Sequence, residues 1–551
     1  MCGIFCVLNG TSFGIGKEKN DYVERAFKKG SPRGPEKSTL ITKDNIIFGF
    51  HRLAINGYGN DTSDQPLIQN NCTLICNGEI YNWKELIAMC DLDCSTGSDC
   101  EVIIALYKKY GIEETLNLLD GVFAFVLVDH DAHLMFVGRD SLGIRPLFMW
   151  RNTVYLDVVV FASELKMGSS LLRPRMEPKP FPPGHLMVLN YTQKGYLYKE
   201  PKPFFKIKSI PNNSIQTIAQ TDRLIHDSLV AAVKKRVDNT DRPIACLLSG
   251  GLDSSLICSI VVRIFKEKYG EEGASRVTTW SIGMEGSEDL KYARKVADFL
   301  GTTHNEIKCT EEEFLDAIPE VIYAIESNDT TTVRASVGNY LICKYIRTNS
   351  PAKVIFNGDG SDELTGGYLY MHYAPDPIEF DIECRRLLND IHLFDVLRSD
   401  RSISSNGLEA RTPFLDRSFI QSYLSIPVSL RYHPSKKQPE KYLLRHAFSA
   451  GYYLPDEVLW RRKEAFSDGV STQKKSWFEV IQERAQLICT RDYGMADMSG
   501  SEAEVTYYKR LFTDKFGSLD YNKDVMPYKW MPKFIDASDA SARTLPIYKN
   551  K

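Results

Sequence analysis

The rhythm of apolar residues along this 551-residue chain changes once, and the change calls for two different kinds of sheet. Up to about Glu200, short β-rich runs dominate, at residues 4–8, 46–50, 73–76, 122–128 and 134–137. The last two flank Asp129-His130-Asp131-Ala132-His133, a polar connection suited to a hairpin. Two helical patterns interrupt the runs, at 82–90 and 98–110; the second carries Val102, Ile103, Leu106 and Tyr107 at helical spacing. Many strands with few helices predict packed antiparallel sheets with helices on their outer faces. The Pro-rich polar stretch at 199–213 reads as a linker. Beyond it, strands at 243–248, 277–282 and 353–356 alternate with helices at 254–268, 287–300 and 337–347. That alternation predicts a parallel sheet wrapped on both faces. The expectation is an α/β chain of two domains, residues 1–205 and 215–551, the second with added helices past Asp376. The tail after Tyr493 is polar with scattered aromatics and carries little signal.

Composition removes several function classes. A formal net charge of −3 points to neither a nucleic-acid nor an anionic-membrane partner. No apolar run approaches the roughly 20 residues of a membrane helix, and residues 10–20 are polar where a signal peptide needs its apolar core. Thirteen cysteines, an odd number in a long chain, fit a reduced, cytoplasmic protein rather than a disulfide framework. The pairs Cys72/Cys76 and Cys90/Cys94 lack a Cys-x-x-Cys knuckle and a following His pair, so they read as buried thiols and not as a zinc site.

The chain begins Met1-Cys2-Gly3-Ile4-Phe5. A residue as small as Cys at position 2 permits trimming of Met1, which would leave a thiol and a free α-amine on one residue. The amine's ordinary pKa of about 7.7–8.0 suits it to take the thiol proton near neutrality. Three further clusters lie beside predicted strands or helix starts: His51-Arg52-Leu53-Ala54-Ile55, Asn77-Gly78-Glu79-Ile80-Tyr81-Asn82 and Gly97-Ser98-Asp99. Thiolate attack on a carboxamide creates an oxyanion that the Asn77 amide and the Gly78 N–H can stabilise. An α-amino acid substrate needs a cation for its carboxylate and an anion for its ammonium, which Arg52 and Asp99 offer. Taken singly, Cys2 is a terminal residue and Asn77-Gly78 a turn; taken together, the set is coherent chemistry.

Downstream, Ser249-Gly250-Gly251-Leu252-Asp253-Ser254-Ser255 sits between an apolar strand and a helix, where doubly wound sheets bind phosphates. It is not a Walker A loop, since no Gly-Lys-Ser/Thr follows. An acid beside a polyanion needs a metal between them, so Asp253 and the second acidic cluster, Asp359-Gly360-Ser361-Asp362-Glu363, are expected to share Mg²⁺ on a triphosphate.

The N-terminal segments, with Ser31-Pro32-Arg33-Gly34-Pro35, residues 139–147 and Phe161-Ala162-Ser163-Glu164, resemble the glutaminase domain of N-terminal-nucleophile (class II) amidotransferases. The likeness implies an αββα sandwich and glutamine hydrolysis through a thioester on Cys2, with Glu79 joining Arg52 and Asp99 around glutamine. The Ser249–Ser255 loop resembles that of ATP pyrophosphatases. With residues 331–336, 358–368, 407–416 and 462–469, the whole chain resembles the glutamine-dependent asparagine synthetases. That resemblance implies an adenine nucleotide bordered by Leu247, Ile282, Asn357 and Gly358. It also implies Mg²⁺ and pyrophosphate at Asp253 and Asp362, charge neutralisation by Lys463, and aspartate at Thr332 and Arg334. It further implies ammonia passing between the two sites and, by analogy, a homodimer. Asparagine synthetases commonly read Ser-Gly-Glu where this chain has Asn357-Gly358-Asp359, so the expected proton acceptor is a methylene shorter here. The alternatives are a relative amidating another carboxylate and a non-catalytic binding protein. The segment 332–336 favours aspartate, and the retained Cys2, Arg52, Asn77, Asp99, Asp253, Asp362 and Lys463 argue for catalysis.

Overall fold

The computed structural model describes the chain except for residues 10–16, 153–157, 170, 172–175, 193–194, 208, 473–474, 518–524, 526–529, 538 and 550–551. The N-terminal half holds two antiparallel sheets. One runs β10(Met176–Pro180)-β8(Phe148–Asn152)-β9(Val159–Ala162)-β1(Gly3–Leu8)-β3(Ile46–Arg52)-β2(Lys37–Lys43). The other runs β12(Gly195–Leu197)-β11(His185–Thr192)-β7(Leu134–Arg139)-β6(Gly121–Asp129)-β5(Cys72–Ile80)-β4(Leu67–Gln69), and β13(Lys202–Pro203) pairs with β11. Strand alternation assigns each face. Ile4, Cys6 and Leu8 of β1 meet Ile75, Ala124 and Val126 of the other sheet in one core between the two sheets. Leu74 and Cys76, the opposite parity, pack outward with α2(Trp83–Cys90), α3(Val102–Tyr110) and α4(Ile112–Leu118). Phe5 and Val7 pack the other way, with α1(Lys17–Lys28) and α5(Leu165–Ser169). The four layers are the expected αββα sandwich.

The C-terminal half centres on a parallel sheet, β16(Thr303–Cys309)-β15(Thr278–Met284)-β14(Ile244–Leu247)-β17(Val354–Phe356)-β18(Glu409–Arg411). Its strands are apolar on both faces because both are covered. Ile244, Cys246, Val354 and Phe356 face α6(Ile218–Asp238), α7(Leu252–Tyr269) and α8(Glu288–Leu300). Ala245, Ile355 and Ala410 face α9(Glu311–Ile325) and α10(Thr330–Asn349). The sheet is doubly wound, as the alternation required. It has two strands beyond those read from the sequence, β16 and β18, and α10 begins seven residues before the expected 337.

The halves are welded by cores and by charge. One core joins Leu53, Ile55, Leu142 and Ile144 to α6; another carries the outer helices of the first sandwich into α9 and α10. Arg33 is fully buried and donates to Glu164 (3.1 Å) in its own half and to Asp400 (2.8 Å) and Ser404 (2.9 Å) in the other. Arg145 faces Asp400 (3.8 Å) and Glu409 (3.5 Å). All thirteen cysteines are free thiols, and no helix among the described residues is long and apolar enough to cross a membrane.

Removing one member of a buried ion pair leaves the other uncompensated, at about 3–5 kcal/mol. Arg33→Met is therefore expected to lower stability by that order, seen as a lower urea midpoint, whereas Arg223→Met, at an exposed helical pair, should shift it by less than about 0.5 kcal/mol.

Candidate active sites

Cys2 precedes β1 with the parity of Ile4 and Cys6, and Asn77 and Glu79 share the parity of Ile75, so all three side chains turn into the gap between the sheets. The thiol donates to the Leu53 carbonyl and accepts its N–H, both at 3.5 Å, and Arg33 Nε holds the Cys2 carbonyl at 2.9 Å. Burial pushes the thiol up to about 12, so it needs a base beside it to react. The α-amine belongs here to Met1, which is buried with its amine on the Leu408 carbonyl (3.0 Å) and is lowered by that burial to about 5.

Asn77 is 1% exposed, yet neither its amide oxygen nor its nitrogen has a hydrogen-bond partner among the described residues. A buried orphan amide is costly and calls for an explanation, and this one faces the same gap as the Cys2 thiol. A Cβ on Gly78 would meet the Val122 carbonyl at 2.5 Å, so only glycine lets β5 lie this close to β6. Arg52 pairs with Asp64 and donates to the Gly57 carbonyl (2.8 Å). Asp99 accepts the Ile80 N–H at 2.6 Å, and burial lifts its carboxyl to about 6. Glu79 accepts from Asn56 (2.7 Å) and Asn239 (3.3 Å); burial first, then the nearby Glu409, raises its carboxyl well above the ordinary range.

In the second half, the loop after β14 opens into a cavity of about 210 Å³ bordered by Leu247, Ser249, Gly251, Asp253, Ser254, Ile282, Asn357 and Gly358. Ser254 Oγ takes the Ser249 N–H (3.2 Å), which curls the loop over the start of α7, where free N–H groups and the helix dipole favour phosphate. Gly250 and Ser255 stand behind this lining. Gly250 has φ +73°, and a Cβ there would meet the Ala293 N–H at 2.4 Å, while Ser255 is fully buried. A Cβ on Gly358 would meet both Asp253 Cβ and Ser254 N at 2.7 Å, so the loop and the turn after β17 are in direct contact.

Four charges form a closed set at the cavity floor. Lys441 Nζ lies 2.5 Å from Asp253 and 2.6 Å from Asp362, and Lys463 Nζ lies 2.6 Å from Asp362 and 3.9 Å from Asp253. Burial pushes the Asp362 carboxyl up, but the two ammoniums outweigh it and hold it well below the carboxylate range. Among the described residues no cluster of three or more His, Cys, Asp or Glu could by itself hold a metal. Asp253 and Asp362 are nonetheless hard oxygen donors in the number Mg²⁺ takes from a protein when phosphates complete its shell.

Asp359 accepts from Asn357 Nδ2 (2.7 Å) and faces Arg398 (3.5 Å), which also pairs with Asp395. Thr332 lines the cavity, although its hydroxyl donates to Asp329 (2.8 Å) at the start of α10. Arg334, expected to grip aspartate, does not face this cavity. Its Nε and Nη2 bind Glu504 (2.8 and 2.6 Å), and its Nη1 and Nη2 bind Asp539 (2.7 and 2.9 Å), using four of its five N–H groups. The guanidinium borders a neighbouring space of about 390 Å³ instead. The sequence reading missed Lys441, Arg398, Asp395 and the tail residues Trp530 and Ser541, all of which line the main cavity. Asp395 and Arg398, an i,i+3 pair, were the only local signal, and such a pair reads as a solvated helix face.

A family model described as a glutamine amidotransferase domain matches residues 1–226, and one described as asparagine synthase matches 224–382 and 377–517. The glutamine-hydrolyzing asparagine synthetases of Mesocricetus auratus and Homo sapiens are each 41% identical to this chain over 533 residues, which covers 92% of this chain and 92% of theirs. Two family matches that together span most of the chain, and relatives aligned with both halves at once, show that this chain belongs to the family of glutamine-hydrolysing asparagine synthetases.

Proposed function

We propose that the chain makes asparagine from aspartate, ATP and glutamine, with Cys2 as the nucleophile of its first half. Once Met1 is removed, the α-amine on Cys2 takes the thiol proton, and the thiolate attacks the glutamine carboxamide. The Asn77 amide and the Gly78 N–H hold the oxyanion, the amine returns its proton to departing ammonia, and water releases glutamate from the thioester. Arg52 takes the substrate carboxylate, and Asp99 and Glu79 take its ammonium.

In the second half, the β-carboxylate of aspartate attacks the α-phosphorus of ATP to give β-aspartyl-AMP and pyrophosphate. Ammonia then attacks the acyl carbon, Asp359 takes its proton, and AMP leaves. Leu247, Ile282, Asn357 and Gly358 border the nucleotide; Ser249, Gly250, Gly251, Ser254 and Ser255 form its phosphate loop. Asp253 and Asp362 would hold Mg²⁺, which would neutralise triphosphate charge, and Lys463 stabilises the charge that develops on pyrophosphate. Thr332 is the aspartate contact at the cavity wall, and Arg334 joins it only if Asp539 lets go. The reading extends to the cytoplasm as the compartment and a homodimer as the assembly.

One observation carries the coupling of the two sites. Arg411 in β18 pairs with Glu79 of the first site (3.3 Å), and its carbonyl receives the Asn357 N–H (3.2 Å), two residues before Asp359. Arg411 is fully buried, which supports a route for ammonia along this seam that avoids protonation to the non-nucleophilic ammonium.

With ¹⁵N-amide glutamine, aspartate and Mg-ATP, labelled asparagine and one AMP per product are expected by mass spectrometry. Cys2→Ala should abolish this yet make asparagine from ammonium salts; glutamate without asparagine would point to another acceptor. Asp359→Asn should slow ammonium-dependent amidation by roughly 10²–10⁴-fold while pyrophosphate release continues, the mark of a base acting after adenylation. Because Asp99 ionises only near pH 6, its anion is lost as pH falls through that value. The KM for glutamine should therefore climb below about pH 6, and a flat KM from pH 5 to 8 would exclude Asp99 as the ammonium partner.

A further inference from the structure

The segment from Leu53 to Tyr58, in the first half, makes contacts with both halves of the molecule. At one end Leu53 exchanges both of its main-chain polar groups with the Cys2 thiol. From there the backbone turns to residues 241 and 242, which lie just ahead of β14. The Asp241 N–H donates to the Ile55 carbonyl (2.9 Å), and the Asp241 carboxylate accepts the N–H groups of Gly57 (2.9 Å) and Tyr58 (3.4 Å). Arg242 Nη1 donates to the Ala54 carbonyl (2.9 Å) and to Glu36 (2.8 Å), whose other oxygen takes the Ala54 N–H (2.7 Å). The Arg242 guanidinium also lies 4.0 Å over the Tyr58 ring.

The same turn seats two groups of the glutamine site. Arg52 is held by the Gly57 carbonyl, and Glu79 by the Asn56 amide. Leu53, Ala54 and Ile55 are buried, but the outer part of the turn, residues 56–58, has little of its own to keep its shape. Gly57 has φ +64°, a Cβ there would meet Ser63 Oγ at 2.3 Å, and Tyr58 is 60% exposed. A short exposed stretch with few apolar contacts would sample many conformations if left alone. Asp241, Arg242 and Glu36 add the polar contacts that fix it beyond the packing of residues 53–55.

We propose that Asp241 and Arg242 are positioning residues of the glutamine site: the synthetase half uses them to set the 53–58 turn, and through it Arg52 and Glu79, around the substrate. The inference rests on the reading of Cys2 as the glutaminase nucleophile. Neither residue touches a reacting atom, so their loss acts on substrate fit and leaves the second site's chemistry alone.

The test compares the full-length, Met1-trimmed chain with Asp241→Ala and Arg242→Met. A charge-assisted hydrogen bond lost from the turn corresponds to roughly a 10- to 100-fold change. The KM for glutamine is expected to rise by at least about tenfold in each variant, with kcat for hydrolysis changed less and ammonium-dependent synthesis unchanged. Alkylation of Cys2 by a glutamine-like diazo ketone should slow by the same factor, while alkylation by iodoacetamide should not. Arg242→Lys, which keeps the charge near Glu36, should restore part of the KM. An unchanged KM, or equal loss of glutamine- and ammonium-dependent synthesis, would overturn the proposal and leave these residues as plain interdomain packing. Lack of glutamine hydrolysis by the unaltered chain, with ammonium-dependent synthesis intact, would overturn it along with the reading of Cys2.

Discussion

The guanidinium of Arg33 is the constraint on which the rest of the molecule turns. It has no water to pair with, so its donors must be met inside, and they are met from three directions: the Cys2 carbonyl, Glu164 in the first half, and Asp400 with Ser404 in the second. Planar, forked donors suit such a junction, because one side chain fixes several acceptors in orientation as well as distance. The Cys2 main chain, the turn that follows β9 and the helix Asp395–Ser404 are thereby located by a single group. That helix also carries Arg398, which faces Asp359. A displacement at this junction would therefore be felt at both catalytic centres.

The second site handles charge differently. Asp253, Asp362, Lys441 and Lys463 pair with one another before any substrate arrives, so these four groups carry no net charge between them. A triphosphate with its metal offers the carboxylates a cation and the ammoniums an anion, and the set can exchange partners without leaving any member uncompensated. The fixed backbone around it supports that exchange. Gly250 and Gly358 are pressed against α8 and the nucleotide loop so closely that a methyl group would not fit at either position.

Contiguity decided what the sequence could reveal. Residues 249–255 and 357–363 each place several site groups on one turn, and their chemistry is readable in order along the chain. Lys441, Arg398 and Asp539 reach the same region from distant elements and carry no local pattern. Strand β18 was invisible for the opposite reason. Glu409-Ala410-Arg411 looks like a solvated stretch, but all three residues are buried, and Glu409 and Arg411 pair with each other and with Arg145 and Glu79 across the seam. Edge strand β16 is largely polar and escaped for want of an apolar run, whereas α9 did announce itself through a Thr310–Glu313 capping box that went unread. Arg334 shows the limit of motif reading: its segment lies where expected, but its guanidinium is claimed by Glu504 and by Asp539, the latter beyond the family match.

Two family matches meet near residue 225, which gives the chain the appearance of two interchangeable modules. The cores contradict that appearance. Apolar side chains on the outside of the first sandwich share one buried cluster with the second half's helices α9 and α10. A lineage that exchanged one half for a foreign counterpart would have to rewrite the other's packing residues at the same time. A substitution on one side of the seam would therefore be felt by the packing residues that face it.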